Sequence, residues 1–223
     1  MAAANDDFFA DARARMVDSQ LRPNRVTDPR ILHAMRTLPR ERFLPKPVAD
    51  LAYVDEDVPL GNGRFEMEPM VLARLIQAAA PVSGETALVV AAATGYGAAV
   101  LASCGVRVTA LEEDPQLASL ARSTLAEIAP SVTVVSGRHR DGAPSGAPFD
   151  IILIEGAVQE IPPALVKQLR EERGRLVTVL AAPGPISYAV LAELTSFGLR
   201  STPIFDCATP LLASLAAPPT FVF

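Results

Sequence analysis

A doubly wound α/β fold, its mostly parallel, Rossmann-like sheet preceded by an N-terminal helical segment, is predicted by three observations. From Glu85 onward, apolar runs alternate with helical patterns. Those runs are apolar along their whole length, as strands covered on both faces are. The first of them ends in a glycine-bearing turn, Thr94-Gly95-Tyr96-Gly97, that opens a helix. Right-handed crossovers between parallel strands then place helices on both sides of the sheet.

Taken in order, Phe8 to Leu21 reads as an amphipathic helix. Thr27-Asp28-Pro29 follows as a cap with proline at the first helical position, and Ile31, Leu32 and Met35 then recur at helical spacing. Pro39, Pro45, Pro47, Pro59, Gly61 and Gly63 punctuate a loop with short turns, and Glu68-Pro69 starts a helix running to about Ala79. Ala87 to Val90, Val106 to Leu111, Val132 to Val135, Ile151 to Ile154 and Leu176 to Leu180 read as strands. Between them, Ala98 to Ser103, Pro115 to Ile128 and Pro162 to Leu169 read as helices. Ser187 to Leu194 fits either state, and Ser201 to Phe205 and Thr220 to Phe223 fit strands. The pattern divides the chain into a helical and loop segment, residues 1–80, and a sheet domain, 81–223, packed as one structural unit.

With 223 residues, half of them hydrophobic and 20% charged, the chain is long and apolar enough for a substantial core. A net charge of -5 offers no general attraction to phosphate backbones or anionic lipid, so neither nucleic acid nor a membrane surface is expected as a partner. Ala87 to Val106 is uncharged for twenty residues, the length of a spanning helix, but the Thr94-to-Gly97 turn and the Leu-Val-Val before it favour a buried strand and helix. Asp6, Asp7, Asp11, Arg13 and Arg15 precede any apolar core, unlike a signal peptide. Cys104 and Cys207 have no metal-ligand spacing, so no metal site is expected and a reducing cytoplasm is the predicted location.

The turn after the first strand is the centre of the functional reading. Such turns work because glycine adopts positive φ and lets backbone approach a ligand closely, and the helix that follows presents its free N–H groups there. Here Ala91 and Ala93 stand at positions where methyl groups are unusual; a left-handed backbone at either would cost ~1–2 kcal/mol. Glu112, at the end of the second strand, lies at about the right distance for a ribose ligand, and equally reads as an ordinary solvated glutamate beside Glu113 and Asp114. Glu155, after the strand Ile151 to Ile154, is a further polar candidate for the crevice or a cap of the following turn.

Several landmarks together resemble the protein-L-isoaspartate O-methyltransferase family of class I S-adenosylmethionine-dependent methyltransferases. They are Met16-Val17-Asp18-Ser19-Gln20-Leu21, Val26-Thr27-Asp28 and Leu38-Pro39-Arg40-Glu41-Arg42-Phe43-Leu44-Pro45, continued by Tyr53, Pro59-Leu60 and Gly63. Within the sheet, Thr94-Gly95-Tyr96, Leu111-Glu112, Pro148-Phe149-Asp150, Ile161-Pro162 and Gly174-Arg175-Leu176-Val177 keep the family's order. The resemblance implies the class I methyltransferase fold, S-adenosylmethionine as cofactor, and protein or peptide substrates carrying isoaspartate, whose carboxylate is methylated in the repair of damaged protein. By the same resemblance Gly95, Tyr96 and Glu112 would line the cofactor crevice, the Glu112 oxygens accepting from both ribose hydroxyls, with Glu155 joining them on its strand-end position. The loop Gly63 to Pro69 would lie over the acceptor, with Arg64 and Glu66 its candidate catalytic residues.

The chain departs from the family pattern at several points. Val89 stands for the first-strand acidic residue, Ala91 and Ala93 for two glycines, Arg138 for an adenine-side carboxylate, and Phe65 and Met67 for hydroxyl residues. Arg64 is expected as an exposed loop arginine, ordinarily solvated, whose planar fork suits a substrate carboxylate. Two readings of the activity stay open: an impaired isoaspartyl methyltransferase, and a non-catalytic relative keeping the sheet as an interaction or regulatory module.

Other constellations point elsewhere only weakly. Gly95-Tyr96-Gly97-Ala98-Ala99-Val100 with Glu112 partly matches a nicotinamide fingerprint, but Val100 replaces its third glycine. His33 is expected to be structural or surface, His139 to face solvent in a charged loop, and Cys104 to be an inert buried thiol.

Overall fold

The computed structural model describes residues 2–182, 184 and 186–216. Helix α1 (Ala2–Met16) continues into a wider π-type turn, Val17–Leu21, that buries Val17 and Leu21. Helix α2 (Pro29–Thr37) begins as its sequence requires: the Asp28 side chain accepts from the Arg30 N–H at 2.9 Å and Pro29 takes the first turn. Its buried stripe is Ile31, Leu32, Ala34 and Met35. Two 3₁₀ turns follow, Arg40–Phe43 and Lys46–Leu51.

The region expected to be loop also contains an antiparallel hairpin, β1 (Val58–Gly61) and β2 (Arg64–Glu66). Its turn, Gly61-Asn62-Gly63, has positive φ throughout, at 96°, 51° and 70°. Asparagine flanked by glycines tolerates that conformation, and the strands on either side are short enough to escape a pattern search. Helix α3 (Pro69–Ala78) then leads to the sheet.

The sheet is built from β3 (Thr86–Val90), β4 (Arg107–Glu112), β5 (Thr133–Ser136), β6 (Ile151–Val158), β7 (Arg175–Leu180), β8 (Ser187–Thr195) and β9 (Gly198–Cys207). Helices α4 (Tyr96–Ser103), α5 (Pro115–Ile128) and the short α6 (Pro163–Val166) lie between its parallel strands. The order is β5-β4-β3-β6-β7-β8-β9, with β5 through β7 parallel and the last two antiparallel. The chain therefore steps outward from β3 to β5 and restarts on the other side of β3, so the strand order reverses between β3 and β6. That is the place where open α/β sheets hold ligands, beyond the strands' carboxyl ends.

Segment Ser187 to Leu194, ambiguous from sequence, is a strand, and Ser201 to Phe205 lies within β9. The candidate strand Thr220 to Phe223 lies outside the described residues. One apolar cluster joins Phe9, Met16, Ile31 and Phe43 to Val89, Leu101 and Leu153, so the helices before the sheet pack on its core.

Strand β6 continues past the expected end at Ile154. Its pairing with β7 is interrupted between Leu153 and Ala157, where Gly156 adopts φ 148°. A Cβ on Gly156 would lie 2.4 Å from Leu212 Cγ, so glycine is needed both for the conformation and for the close approach. Glu155 thus sits inside a bulged strand rather than capping a turn after one.

Candidate functional site

The turn beyond β3 keeps the left-handed backbone of a glycine-rich cofactor loop although two of its residues are alanines. Ala91 has φ 56°, Ala93 49° and Gly95 95°. Both alanines are buried, and each carries the ~1–2 kcal/mol strain of a left-handed L-residue. Hydrogen bonds pin the loop there: Ala92 N donates to Leu111 O at 3.1 Å, Ala93 N to Glu112 Oε2 at 2.8 Å, and Gly95 N to Ala92 O at 2.8 Å. Gly95 itself is required on two counts, since its added Cβ would come within 2.6 Å of Leu125 Cδ1.

Glu112 ends β4 directly beside this turn, fully buried. Its Oε1 accepts from Arg64 Nη1 at 2.6 Å, Asp114 N at 2.9 Å and Glu113 N at 3.0 Å, with His139 Nε2 at 3.2 Å. Burial alone would raise its pKa, but the His139 and Arg64 contacts outweigh that and hold the carboxyl down at about 2. It is an ionised carboxylate whose Oε1 is occupied from within the chain, while Oε2 accepts from Ala93 N alone.

Arg64 is the main correction to the expected site. Instead of being an exposed loop cation it is 8% exposed, with Nη1 on Glu112 and Nη2 donating to Ala91 O at 2.9 Å. Glu66 lies two residues along β2 on the same face, as alternation dictates. Its Oε1 accepts from Arg40 Nη1 at 3.0 Å and its Oε2 from Thr94 Oγ1 at 3.2 Å, both contacts buried. Burial pushes the Glu66 pKa up against the pull of Arg40.

Sequence reasoning gave Arg40 no role in the site. It is fully buried; Nε donates to Ala52 O and Nη2 to Met67 O, each at 2.7 Å, and its guanidinium stacks 4.7 Å from the Tyr96 ring centre. Tyr96, expected to line the cofactor crevice, is wedged between Arg40 and Phe43 with its hydroxyl buried and unpartnered. The only sequence signal for Arg40 was its place in the Pro39-to-Pro45 motif; nothing local reports partners 12 to 27 residues away.

Glu155 is buried, its Oε1 without a partner, and its pKa is pushed well above the ordinary carboxyl range by burial and then by Glu66. It lines a narrow cavity with Asp57, Phe65, Met67 and Thr209, whose hydroxyl is also unpartnered. That cavity offers about 10 Å³ to a water centre, roughly one molecule.

His139 likewise overturns its expected solvent-facing position. It is fully buried, Nδ1 2.8 Å from Ser214 Oγ and Nε2 against Glu112; the signal was missing because Ser214 is 75 residues away. His33 is exposed, and Cys104 is buried with its thiol pKa raised by burial, both as expected. Asp150 is taken up by Arg170, Arg173 and Thr86 at the opposite end of β6 from the crevice. Arg138 is exposed. Immediately outside the Arg64–Glu112 pair lies an open cleft of about 270 Å³, lined by Asn62, Gly63, Glu113, Asp114 and Ser214. Among the described residues no cluster of metal-ligating side chains occurs, and no helix is long and apolar enough to cross a membrane.

The sheet order, the turn beyond β3 and an acidic residue ending β4 define a methyltransferase-type α/β protein with a crevice at the strands' carboxyl ends. The chain belongs to the protein-L-isoaspartate(D-aspartate) O-methyltransferase family, whose model matches residues 12–184. It is 43% identical over 175 residues to a protein-L-isoaspartate O-methyltransferase of Methylorubrum extorquens, covering 78% of this chain and 76% of the relative. It is 36% identical over 216 residues to that of Koribacter versatilis, covering 95% and 96%. Among solved structures, a protein-L-isoaspartate O-methyltransferase aligns with TM-score 0.78 at 22% identity, covering 92% of this chain and 67% of the other; at that identity the likeness establishes the fold. A Plasmodium falciparum protein assigned to the same enzyme class, in complex with S-adenosyl-L-homocysteine, aligns with TM-score 0.72 at 18% identity over 91% and 98%.

Proposed function

We propose that this chain is an S-adenosylmethionine-dependent protein-L-isoaspartate O-methyltransferase homologue that acts on isoaspartyl carboxylates of damaged protein in impaired form. The observation that carries this reading is the meeting of a left-handed turn at Ala91 to Gly95 with an ionised Glu112 at the end of the neighbouring strand. The backbone there fits an adenosyl group: the turn has the required φ values, and the start of α4 and Glu112 face one crevice. The side chains fit less well, because the Ala91 and Ala93 methyl groups narrow the turn and Arg64 already occupies Glu112 Oε1.

S-adenosylmethionine supplies an electrophilic methyl group, and catalysis of its transfer depends largely on alignment with the acceptor oxygen. In this chain Gly95 and Glu112 would hold the adenosyl side. Phe65 and Met67 close the acceptor side with apolar surface, and burial, which raises the Glu155 pKa, weakens the charge that would repel an acceptor carboxylate there. Loss of orienting hydroxyls at 65 and 67 is the reason for expecting slow transfer. We also place the protein in the cytoplasm, as its two free cysteines favour, and treat residues 1–80 and 81–223 as one unit.

A second reading, a non-catalytic interaction or regulatory module, is favoured by the Arg64 guanidinium already seated on Glu112. Calorimetric titration with S-adenosyl-L-homocysteine and methyl transfer to an isoaspartyl peptide separate the two. Binding abolished by Glu112→Ala, with slow but specific transfer, supports the enzyme. Binding with transfer only to some other acceptor rejects the repair role, and no binding at millimolar ligand leaves the non-catalytic reading.

A further inference from the structure

We infer that strand β2 is a built-in plug of the cofactor crevice and that Arg64 decides its occupancy, an inference that rests on the cofactor reading above. Both inward side chains of β2 end on the groups an adenosyl ligand would meet. Arg64 bridges the carbonyl of Ala91 and the carboxylate of Glu112, at 2.9 and 2.6 Å, and so spans the gap between the ends of β3 and β4. Glu66 receives Thr94, the residue before Gly95, at 3.2 Å. The hairpin tip adds a third tie, Asn62 Nδ2 donating to Asp114 Oδ2 at 3.1 Å at the cap of α5.

Arg64 competes with a ribose for Glu112, because Oε1 already takes Arg64 and two backbone N–H groups and only Oε2, held by Ala93 N, keeps acceptor capacity. Contact of both Glu112 oxygens with a ligand therefore requires Arg64 to leave. The geometry makes that departure feasible: β2 is three residues long, belongs to a two-stranded ribbon separate from the main sheet, and starts immediately after a turn of three positive-φ residues. The Arg64 Nε has no partner, so the guanidinium is held by one face of its fork only. The open cleft of about 270 Å³ on the solvent side of the pair gives the side chain somewhere to go. Where only a fraction of molecules is open, the apparent dissociation constant is the intrinsic one divided by that fraction. A closed-to-open ratio of about 100 thus weakens binding about a hundredfold.

The test is calorimetric titration of S-adenosyl-L-homocysteine into the full chain, its Arg64→Gln and Asn62→Ala variants and the Ala91→Gly/Ala93→Gly double variant, with hydrogen exchange of the hairpin amides followed in parallel. Arg64→Gln should bind at least tenfold tighter than the parent, Asn62→Ala should tighten binding by a smaller factor, and ligand should speed exchange at residues 61–66 of the parent. Asn62→Ala leaves Glu112 and Arg64 in place, so it decides the matter if Arg64→Gln fails to fold. Equal affinity in parent and hairpin variants overturns the plug while leaving the cofactor reading intact. No binding by any of the four proteins removes both. A lower melting temperature of Arg64→Gln with unchanged affinity reduces Arg64 to a structural role and also overturns the plug.

Discussion

Replacing Arg40 with methionine tests the electrostatic logic of the site most directly. The substitution removes donors from Ala52 O and Met67 O and strips the buried Glu66 of its cation, leaving only Thr94 to donate to it. Breaking one side of a buried ion pair costs about 3–5 kcal/mol, and the two orphaned carbonyls add ~1–3 kcal/mol each. Against a total stability of roughly 5–15 kcal/mol, Arg40→Met should leave the fold marginal. The expected loss has a sign with pH. Glu66 already has a raised pKa, and without Arg40 it rises further, so stability is fully present below about 4.5 and falls as pH climbs toward the new folded pKa, by ~1.4 kcal/mol per pH unit. The double variant Arg40→Met/Glu66→Met removes the stranded charge and should recover ~2 kcal/mol or more relative to Arg40→Met alone. Urea unfolding at pH 5 and pH 8 measures all three proteins. A cost below about 1 kcal/mol for Arg40→Met, or one equal at both pH values and unrelieved by the second substitution, would refute the assignment of Arg40 as the partner that keeps Glu66 ionisable.

Other outcomes follow from the same contacts. In Ala91→Gly/Ala93→Gly, each site gains ~1–2 kcal/mol of strain relief but loses ~0.8 for a buried methyl group and ~0.5–1 for glycine's entropy, so thermal unfolding should shift by only a few degrees. Affinity for S-adenosyl-L-homocysteine should rise if those methyl groups narrow the crevice, and an unchanged dissociation constant would clear them. Glu112 and Asp150, both held at about 2, contribute stability that is present above pH 4–5 and lost as pH falls toward 2. Asp150→Asn should flatten that acid limb in urea titrations between pH 6 and pH 2.5. Glu68 is raised to about 7 by burial and by Asp55, Asp57 and Glu56, so its contribution runs the other way, declining as pH rises from about 4.5 through 7. A Glu68→Gln protein that still lost stability over that window would show the decline to originate elsewhere.

Local signals carried most of the fold. The helix expected from Pro115 to Ile128 has those bounds because Asp114 accepts from Gln116 N and Leu117 N and Pro115 fixes the first turn. The parallel strands were legible because both faces are buried, which leaves unbroken apolar runs such as Leu88 to Val90 and Ile151 to Ile154. The left-handed strain at Ala91 and Ala93 was legible because a strand, turn and helix in so few residues leave the backbone little choice. What escaped was set by distant partners. Arg64 has the local setting of a solvated loop cation, and only Glu112, 48 residues on, draws it inward. His139 sits among charges in sequence yet is buried through Glu112 and Ser214. The end of β6 was misplaced because a bulge at Gly156 lets the strand continue where a pattern of regular strands ends.

The departures from the family pattern are physically coupled. Exchanging glycine for alanine at 91 and 93 strains the turn, and something must hold it in place. Here Arg64 grips Ala91 O, Glu112 grips Ala93 N, and Glu66 takes Thr94, so the turn is anchored by the chain's own side chains at the points where a ligand would otherwise touch it. A charged residue at 64 is tolerable in this buried position only because Glu112 is there, and Glu112 stays ionised only because Arg64, His139 and backbone donors surround it. Restoring the glycines alone would relieve the strain but keep Arg64 on Glu112, and removing Arg64 alone would leave the turn strained. The network is also incomplete in one direction. Of the six buried side-chain polar atoms without a partner among the described residues, four belong to Arg64, Tyr96, Glu155 and Thr209. Tyr96 packs on Arg40, which pairs with the β2 residue Glu66, while Glu155 and Thr209 share the cavity beneath Phe65 and Met67. Unmet polar capacity thus gathers beside the β2 strand and the narrow cavity under Phe65 and Met67, where buried polar groups have few internal partners to choose from.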